Sequence, residues 1–281
     1  MAIFIKLNQD ERKTLFYKAR DNLNTSFNKM YLRFKISRPM FFHYLAGRYH
    51  IPKSIFLELQ SIAKIQVKGF LEIKIEKYLE KNINKPKLNN SVAEILGVLN
   101  GDGHLSSINY EISVVGSSLE IDYSDYLKKL FEKNLGLKFI IDLDKTRYKL
   151  RTYSKKMVEY LGQEYGLQKG KKLGKLKIPR QIMGSREFLV SYLRGLYDTD
   201  GTFYIRRKKD PAIEISSADI NFLKQVRKAL TSLGFHANVN STHVSIYNKE
   251  DINNFFKIVQ PANTKHLKKF YSYLNSEALV V

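Results

Sequence analysis

The sequence predicts an α+β chain: a helical segment over residues 1–88, then one αββαββα unit used twice, over 89–184 and 185–281. Three observations carry that expectation. A short apolar segment recurs 98 residues further on. The same succession of strand and helix signals follows each copy. The first 88 residues show helix punctuation without the period-two alternation of strands.

Residues 1–88 carry 18 Lys+Arg against 7 Asp+Glu, +11 of the chain's net +21. A helix over 27–34, a tight turn, Ser37 as N-cap, Pro39 in the next first turn and Gly47 at its end spell two short helices in series. The pattern resembles the helix-turn-helix of small DNA-binding domains. By that resemblance the second helix lies in the major groove, offering Arg38, Met40, Phe41 and His43 to bases and Arg48 to a phosphate. A plain helical bundle is the alternative. Residues 68–81 read as a further charged helix, and 82–90, around Pro86, as a linker.

The first repeated segment runs Glu94-Ile95-Leu96-Gly97-Val98-Leu99-Asn100-Gly101-Asp102-Gly103-His104-Leu105. Its twin runs Tyr192-Leu193-Arg194-Gly195-Leu196-Tyr197-Asp198-Thr199-Asp200-Gly201-Thr202-Phe203. Each reads as a helix that stops at Asp-Gly. Ser91 and Glu94 form a capping box for the first, and Ser185 with Glu187 starts the second. Small residues recur at i, i+4 spacing: Ala93, Gly97, Gly101 and Ser191, Gly195, Thr199. Glycine inside a helix costs about 0.5–1 kcal/mol relative to alanine, so Gly97 and Gly195 need a packing reason. The two helices are therefore expected to pack along this seam.

Gly103 and Gly201 stand where a left-handed residue ends a helix. Asp102 and Asp200 then sit at helix C-termini, where the macrodipole disfavours a carboxylate by about 0.3–1 kcal/mol. Two parallel helices add mutual repulsion. A hard divalent cation such as Mg²⁺ relieves both with oxygen ligands. A single Asp-Gly end reads as a solvated cap; the matched pair points to a site.

The two segments resemble the LAGLIDADG motifs of single-chain homing endonucleases, Ile95 to Gly103 and Leu193 to Gly201. The resemblance implies that the eighth position of each motif, Asp102 and Asp200, is the metal-binding catalytic acid, with Gly101 and Thr199 beside them in the metal set. Asn100 replaces the usual acid at the sixth position of the first motif, and Asp198 keeps it in the second. That position is not the metal ligand in the family. The implied fold is a pseudo-two-fold pair of antiparallel β-saddles with the motif helices at their interface, over about residues 91–275. The implied activity is Mg²⁺-dependent, site-specific double-strand DNA cleavage leaving 3′ overhangs, by a monomer.

After the first motif, strands over 104–107 and 110–115 precede a helix over 119–135, strands over 138–143 and 147–153, and a helix over 156–165. After the second, strands over 202–207 and 212–217 precede a helix over 219–233, strands over 235–240 and 242–247, and a helix over 250–259. Alternation groups Arg147, Lys149 and Arg151 on one face, opposite Tyr148 and Leu150. It likewise groups Tyr204, Arg206 and Lys208, and His243, Ser245 and Tyr247. These exposed sets hold several bases and, apart from Glu214, no acid. They suit a DNA-facing concave surface, with a merely solvated face as the plainer alternative.

Between the halves lies the basic run 168–179, ending Lys175-Leu176-Lys177-Ile178-Pro179. A flexible linker accounts for it simply. Family members, however, carry a lysine just before an Ile-Pro near the metal site. Alignment by the motif favours Lys175 for that role, and adjacency to Ile-Pro favours Lys177. Lys265 looks like the counterpart in the second half.

Composition narrows the remaining choices. With no cysteine, disulfides, thiolate metal sites and a cysteine nucleophile are excluded. There is no run of 18 apolar residues and no signal peptide, so the chain is expected inside the cell, associated with DNA and not with a membrane. Net charge +21 favours a nucleic-acid partner over a lysine-rich solubilising surface. The six histidines lack close ligand spacing and read mostly as surface or DNA-contacting groups. An intein is disfavoured by the absence of a nucleophile at position 1 and of His-Asn near the end. Two rivals remain: a non-catalytic DNA-binding regulator, and a maturase acting on group I intron RNA.

Overall fold

The computed structural model describes residues 2–75, 85–207 and 209–278. The chain divides into two compact units, Met1–Lys81 and Asn82–Val281.

The first unit runs β1 (Ala2–Lys6), α1 (Gln9–Asn22), α2 (Phe27–Met30), α3 (Arg38–Leu45), β2 (Ile51–Pro52), α4 (Lys53–Ala63) and β3 (Leu71–Ile75). Its helices pack around an aromatic core in which Phe41 meets Phe16 edge-on at 5.5 Å and stacks on Phe34 at 6.1 Å. Against the all-helical expectation, the unit also holds an antiparallel sheet, ordered β2-β1-β3. Residues 71–75, expected to be helical, alternate Leu-Glu-Ile-Lys-Ile and pair with Ala2–Lys6, whose own Ile-Phe-Ile run supplies the partner. Strand pairing with a distant segment outweighs the local helical charge pattern. The rest of the expected helix, 76–81, and linker residues 82–84 lie outside the described residues. The helix expected over 27–34 is one turn, α2, followed by turns that end at Lys35 with φ +52°. Ser37 caps α3, accepting from the Met40 N–H, and Gly47 follows it with φ +73°.

The second unit repeats one pattern. The first half is α5 (Asn90–Asn100), β4 (Gly103–Leu105), β5 (Glu111–Ser117), α6 (Ile121–Leu135), β6 (Ile140–Leu143), β7 (Arg147–Tyr153) and α7 (Lys155–Tyr165). A short helix, α8 (Arg180–Met183), leads to α9 (Arg186–Asp200), β8 (Gly201–Arg206), β9 (Asp210–Ser216), α10 (Ile220–Ser232), β10 (Ala237–Val239), β11 (His243–Ile246), α11 (Lys249–Val259) and α12 (Thr264–Ala278). The antiparallel sheets have matching orders, β4-β5-β7-β6 and β8-β9-β11-β10. Each buries one face: Ile112, Val114, Tyr148 and Leu150 in the first, Phe203, Ile213, Ile215, Val244 and Ile246 in the second. These faces, the helices and the two motif helices share one continuous core. The opposite faces carry the charged and polar side chains, with Ser113 and Ser245 buried among them.

Candidate active site

The motif helices α5 and α9 press together along the small-residue seam. A Cβ on Gly97 would collide with the Tyr192 carbonyl and lie 2.9 Å from the Leu196 nitrogen. One on Gly195 would collide with the Glu94 carbonyl and lie 2.9 Å from the Val98 nitrogen. Backbone meets backbone here, and only glycine fits. Two local expectations need correction. Asn89, not Ser91, caps α5, accepting from the Val92 N–H at 2.9 Å. Glu94 is buried (3% exposed), accepts the Tyr126 hydroxyl at 2.6 Å and pairs with Arg194 at 3.5 Å, so it forms no capping box.

Gly103 and Gly201 are not left-handed either. Gly201 is extended (φ −90°, ψ 158°), and Gly103 opens β4 without a positive φ. Both are glycine for closeness: a Cβ would strike Leu99 in one case and Tyr197 in the other. The helices therefore turn directly into the first strand of each sheet, with Asp102 and Asp200 at the two corners.

The carboxylates are neighbours. Asp200 ends α9, and its Cγ lies 3.4 Å from where a Cβ on Gly101 would stand. Burial, and then repulsion from Asp102, push the Asp200 carboxyl up to about 7, against an opposing pull from Lys172. Asp102 keeps solvent contact yet is also raised, first by desolvation; Lys172 and Lys265 lower it and Glu120 raises it.

One cation acts on both acids, Lys172. Its Nζ donates to the carbonyls of Leu99 (2.7 Å), Asn100 (3.2 Å) and Gly101 (2.7 Å), capping α5, and burial lowers its pKa to about 8 while both aspartates oppose that. Sequence reasoning missed it. Lys172 lies in the basic run, but no spacing rule distinguishes it from its neighbours. Lys175 and Lys177 are exposed, and the part Lys177 plays in the fold is its backbone carbonyl, which accepts from Asn100 Nδ2 at 3.0 Å. Lys265 Nζ pairs with Glu120 at 2.7 Å. The Thr199 hydroxyl donates its hydrogen back to the Gly195 and Leu196 carbonyls, at 3.1 and 2.9 Å.

The sixth motif positions act as latches. Asn100 also donates to the Tyr192 hydroxyl at 2.7 Å. The buried Asp198 accepts the Ala262 and Asn263 N–H groups at 2.9 and 3.1 Å, fixing the loop before α12.

The outer sheet faces are less one-sided than the sequence suggests. Arg147 pairs with Asp144 at 3.0 Å, Lys149 with Glu111 at 2.7 Å, and Arg151 with Asp142. In the second half the Tyr204 hydroxyl donates to Glu214 at 2.7 Å, His243 lies 3.2 Å from the same carboxylate, and Arg206 stacks 3.8 Å over the Tyr247 ring. Ser245 is buried beneath them (3% exposed). Lys208 lies outside the described residues. In the first unit Arg38 bonds Asn28 at 2.9 Å, His43 packs on Tyr49 at 5.0 Å and Arg48 is exposed; Phe41 is core and unavailable to bases. His266 departs from the surface reading of the histidines, being 1% exposed.

Residues 187–260 match the family model described as a LAGLIDADG-like domain. This chain contains a LAGLIDADG-like domain. The match covers α9 through α11, the second of the two halves. Among curated proteins, the replication factor C small subunit of Methanocaldococcus jannaschii is 28% identical over 206 residues, 69% of this chain and 11% of that protein. The chain thus spans about a tenth of that relative's length. An uncharacterised protein of the same organism is 28% identical over 179 residues, 58% of this chain and 63% of its own. Among solved structures, I-DmoI in complex with DNA and Ca is 19% identical, covering 60% of this chain and 88% of that one, with a TM-score of 0.44. Among the described residues no helix is long and apolar enough to cross a membrane.

Proposed function

We propose that the chain is a site-specific, divalent-metal-dependent double-strand DNA endonuclease. The observation that carries this reading is the pairing of Asp102 and Asp200 at adjoining helix ends, each at the corner where its sheet begins. Burial raises both carboxylates above their ordinary range. We assign residues 1–88 to a helix-turn-helix-like DNA-binding segment, and 89–184 and 185–281 to the two halves of the nuclease.

The donors suit a hard cation. They are oxygens only: the two carboxylates, with the carbonyls of Gly101 and Thr199 adjacent. Among the described residues no cluster of three or more His, Cys, Asp or Glu exists, which argues against a closed protein cage. Mg²⁺ characteristically takes one or two carboxylates and completes its shell with water and substrate phosphate oxygens. When bound, such an ion lowers the pKa of water and neutralises charge at a phosphoryl group. The remaining work falls to the chain. Asp102 and Asp200 hold the ion, Lys172 spends its three donors on the end of α5 and contributes charge alone, Lys265 offers its ammonium to a phosphate oxygen, and the outer sheet faces bind the duplex. The family precedent extends this to 3′ overhangs and a monomer.

A second reading, a DNA-binding protein without nuclease activity, is favoured by one observation. The Lys172 ammonium already bonds the Gly101 carbonyl and acts on both acids, so it supplies part of what a metal supplies. Incubating the purified protein with a plasmid carrying the DNA that flanks its own gene separates the two. The nuclease reading expects linear plasmid in Mg²⁺, none in EDTA, and none from Asp102→Asn or Asp200→Asn. Tight binding without cutting, in Mg²⁺ and Mn²⁺ alike, selects the second reading.

A further inference from the structure

Glu120 and Asp219 occupy matching places: each is the residue immediately before the long helix that covers its sheet, α6 or α10. Each reaches the other half. Glu120, in the first half, pairs with Lys265 Nζ at 2.7 Å, at the start of α12 in the second. Asp219, in the second half, accepts the Leu176 N–H at 3.1 Å, in the basic segment that follows α7 of the first. The other Asp219 oxygen caps α10 through the Asn221 and Phe222 N–H groups, and Gln225 one turn on accepts the Ile178 N–H at 3.1 Å. The two halves are thus cross-braced, and each brace grips a segment bearing a lysine, Lys172 or Lys265, that acts on Asp102.

The braces differ in chemistry. Asp219 grips backbone and leaves Lys172 free to cap α5. Glu120 grips the lysine side chain itself, with 15% of its own side chain exposed. Lys265 is placed from behind as well. Its N–H donates to Asn263 Oδ1, and the Asn263 N–H is anchored on Asp198, two residues before Asp200. Backbone and ammonium are therefore fixed from opposite halves.

Building on the endonuclease reading, we propose that Glu120 is a positioning residue for one of the two strand cuts: it holds the Lys265 ammonium in place across the interface between the halves. The mirrored brace at Asp219 has no side-chain grip on a lysine, so the two cuts depend on different supports. Loss of Glu120 then slows one strand and spares the other. A purely structural role for Glu120 would slow both together.

The test is strand-resolved cleavage of an end-labelled duplex that the full chain cuts, by the parent, Glu120→Gln, Lys265→Met and the double variant. The expected result is a roughly 10- to 100-fold slower cut of the same single strand in both single variants, with the other strand at the parent's rate. The double variant should be no slower than Lys265→Met, because both changes disable one ammonium. Lys265 is 38% exposed and outside the core, so Lys265→Met keeps the proposal testable if Glu120→Gln folds poorly. Equal slowing of both strands in either variant, or no change in Lys265→Met, overturns it. If the parent binds the duplex and cuts neither strand, the endonuclease reading fails, and this role with it. Cutting by the parent with strand-blind variants refutes the brace alone.

Discussion

Substituting Gly97 by alanine tests the seam on which the paired carboxylates depend. A new Cβ would lie 2.9 Å from the Leu196 nitrogen and 3.0 Å from the Tyr192 carbonyl carbon, with the Tyr192 oxygen nearer still. All three are backbone atoms of a helix and cannot rotate aside. Ordinary van der Waals separation is about 3.5–4.0 Å, so α5 must withdraw from α9 by roughly 0.5–1 Å, a gap that forfeits a quarter to a half of the dispersion energy along the seam. Overpacking and the loosened seam together cost about 2–4 kcal/mol. Alanine returns about 0.5–1 kcal/mol of helix propensity, leaving a net loss of about 1–3 kcal/mol. Gly162, inside α7, supplies the control. A Cβ there meets only the Leu167 carbonyl at 3.5 Å and the Lys169 side chain at 3.9 Å, so Gly162→Ala should stabilise by about 0.5–1 kcal/mol. Urea titrations followed by circular dichroism compare the three proteins. If Gly97→Ala is as stable as the parent while Gly162→Ala gains, the close approach of α5 and α9 is wrong.

Three further outcomes follow from the same structure. His266 is buried, and that burial, with Lys265 adding to it, depresses its pKa to about 3. Its stabilisation is therefore whole above the unfolded pKa of about 6.5 and lost as pH falls toward 3. His266→Phe should lose about 2 kcal/mol less than the parent between pH 7 and pH 5, and parallel urea midpoints at the two pH values would refute this. Asp200 has the opposite sign: its raised pKa gives stability that is full below about 4 and lost as pH rises through about 7. Metal-free Asp200→Asn should thus gain on the order of 4 kcal/mol over the parent at pH 8 and nothing at pH 4, a difference read in thermal melts at the two pH values. Removing residues 1–84 keeps the Pro86 carbonyl, which accepts the Tyr160 and Tyr165 hydroxyls at 3.0 Å each, so the remaining unit should fold and still bind DNA. Its plot of log affinity against log salt should flatten by about 0.9 for each phosphate that the shortened chain no longer neutralises, and an unchanged slope and footprint would remove the first unit from DNA binding.

The repeat and the seam were legible because glycine inside a helix has a local cost that only close packing explains, and the sequence presents it twice at one spacing. That Asp102 and Asp200 stand at paired helix ends was legible from the Asp-Gly that closes each copy. The conformations of Gly103 and Gly201 were not: a left-handed turn and a tight right-angle corner both demand glycine, and sequence does not say which. Lys172 was hidden because its role depends on where a long side chain ends, 71 residues from the Gly101 carbonyl it bonds. Glu111 and Asp142 escaped notice because facing Lys149 and Arg151 is a matter of strand register, fixed by pairing across β5, β7 and β6. The β3 strand shows the same limit, since its partner is the far end of the unit.

The central claim is that Asp102 and Asp200 together hold a hard cation at bound DNA. Electron paramagnetic resonance of Mn²⁺ added to the protein–duplex complex measures it directly. The account predicts Mn²⁺ bound by the parent complex, displaced by excess Mg²⁺, and weakened at least ~10-fold by either Asp102→Asn or Asp200→Asn. Mn²⁺ binding that is absent from the parent complex, or unchanged in both variants, would contradict it and leave Lys172 as the cation of the site.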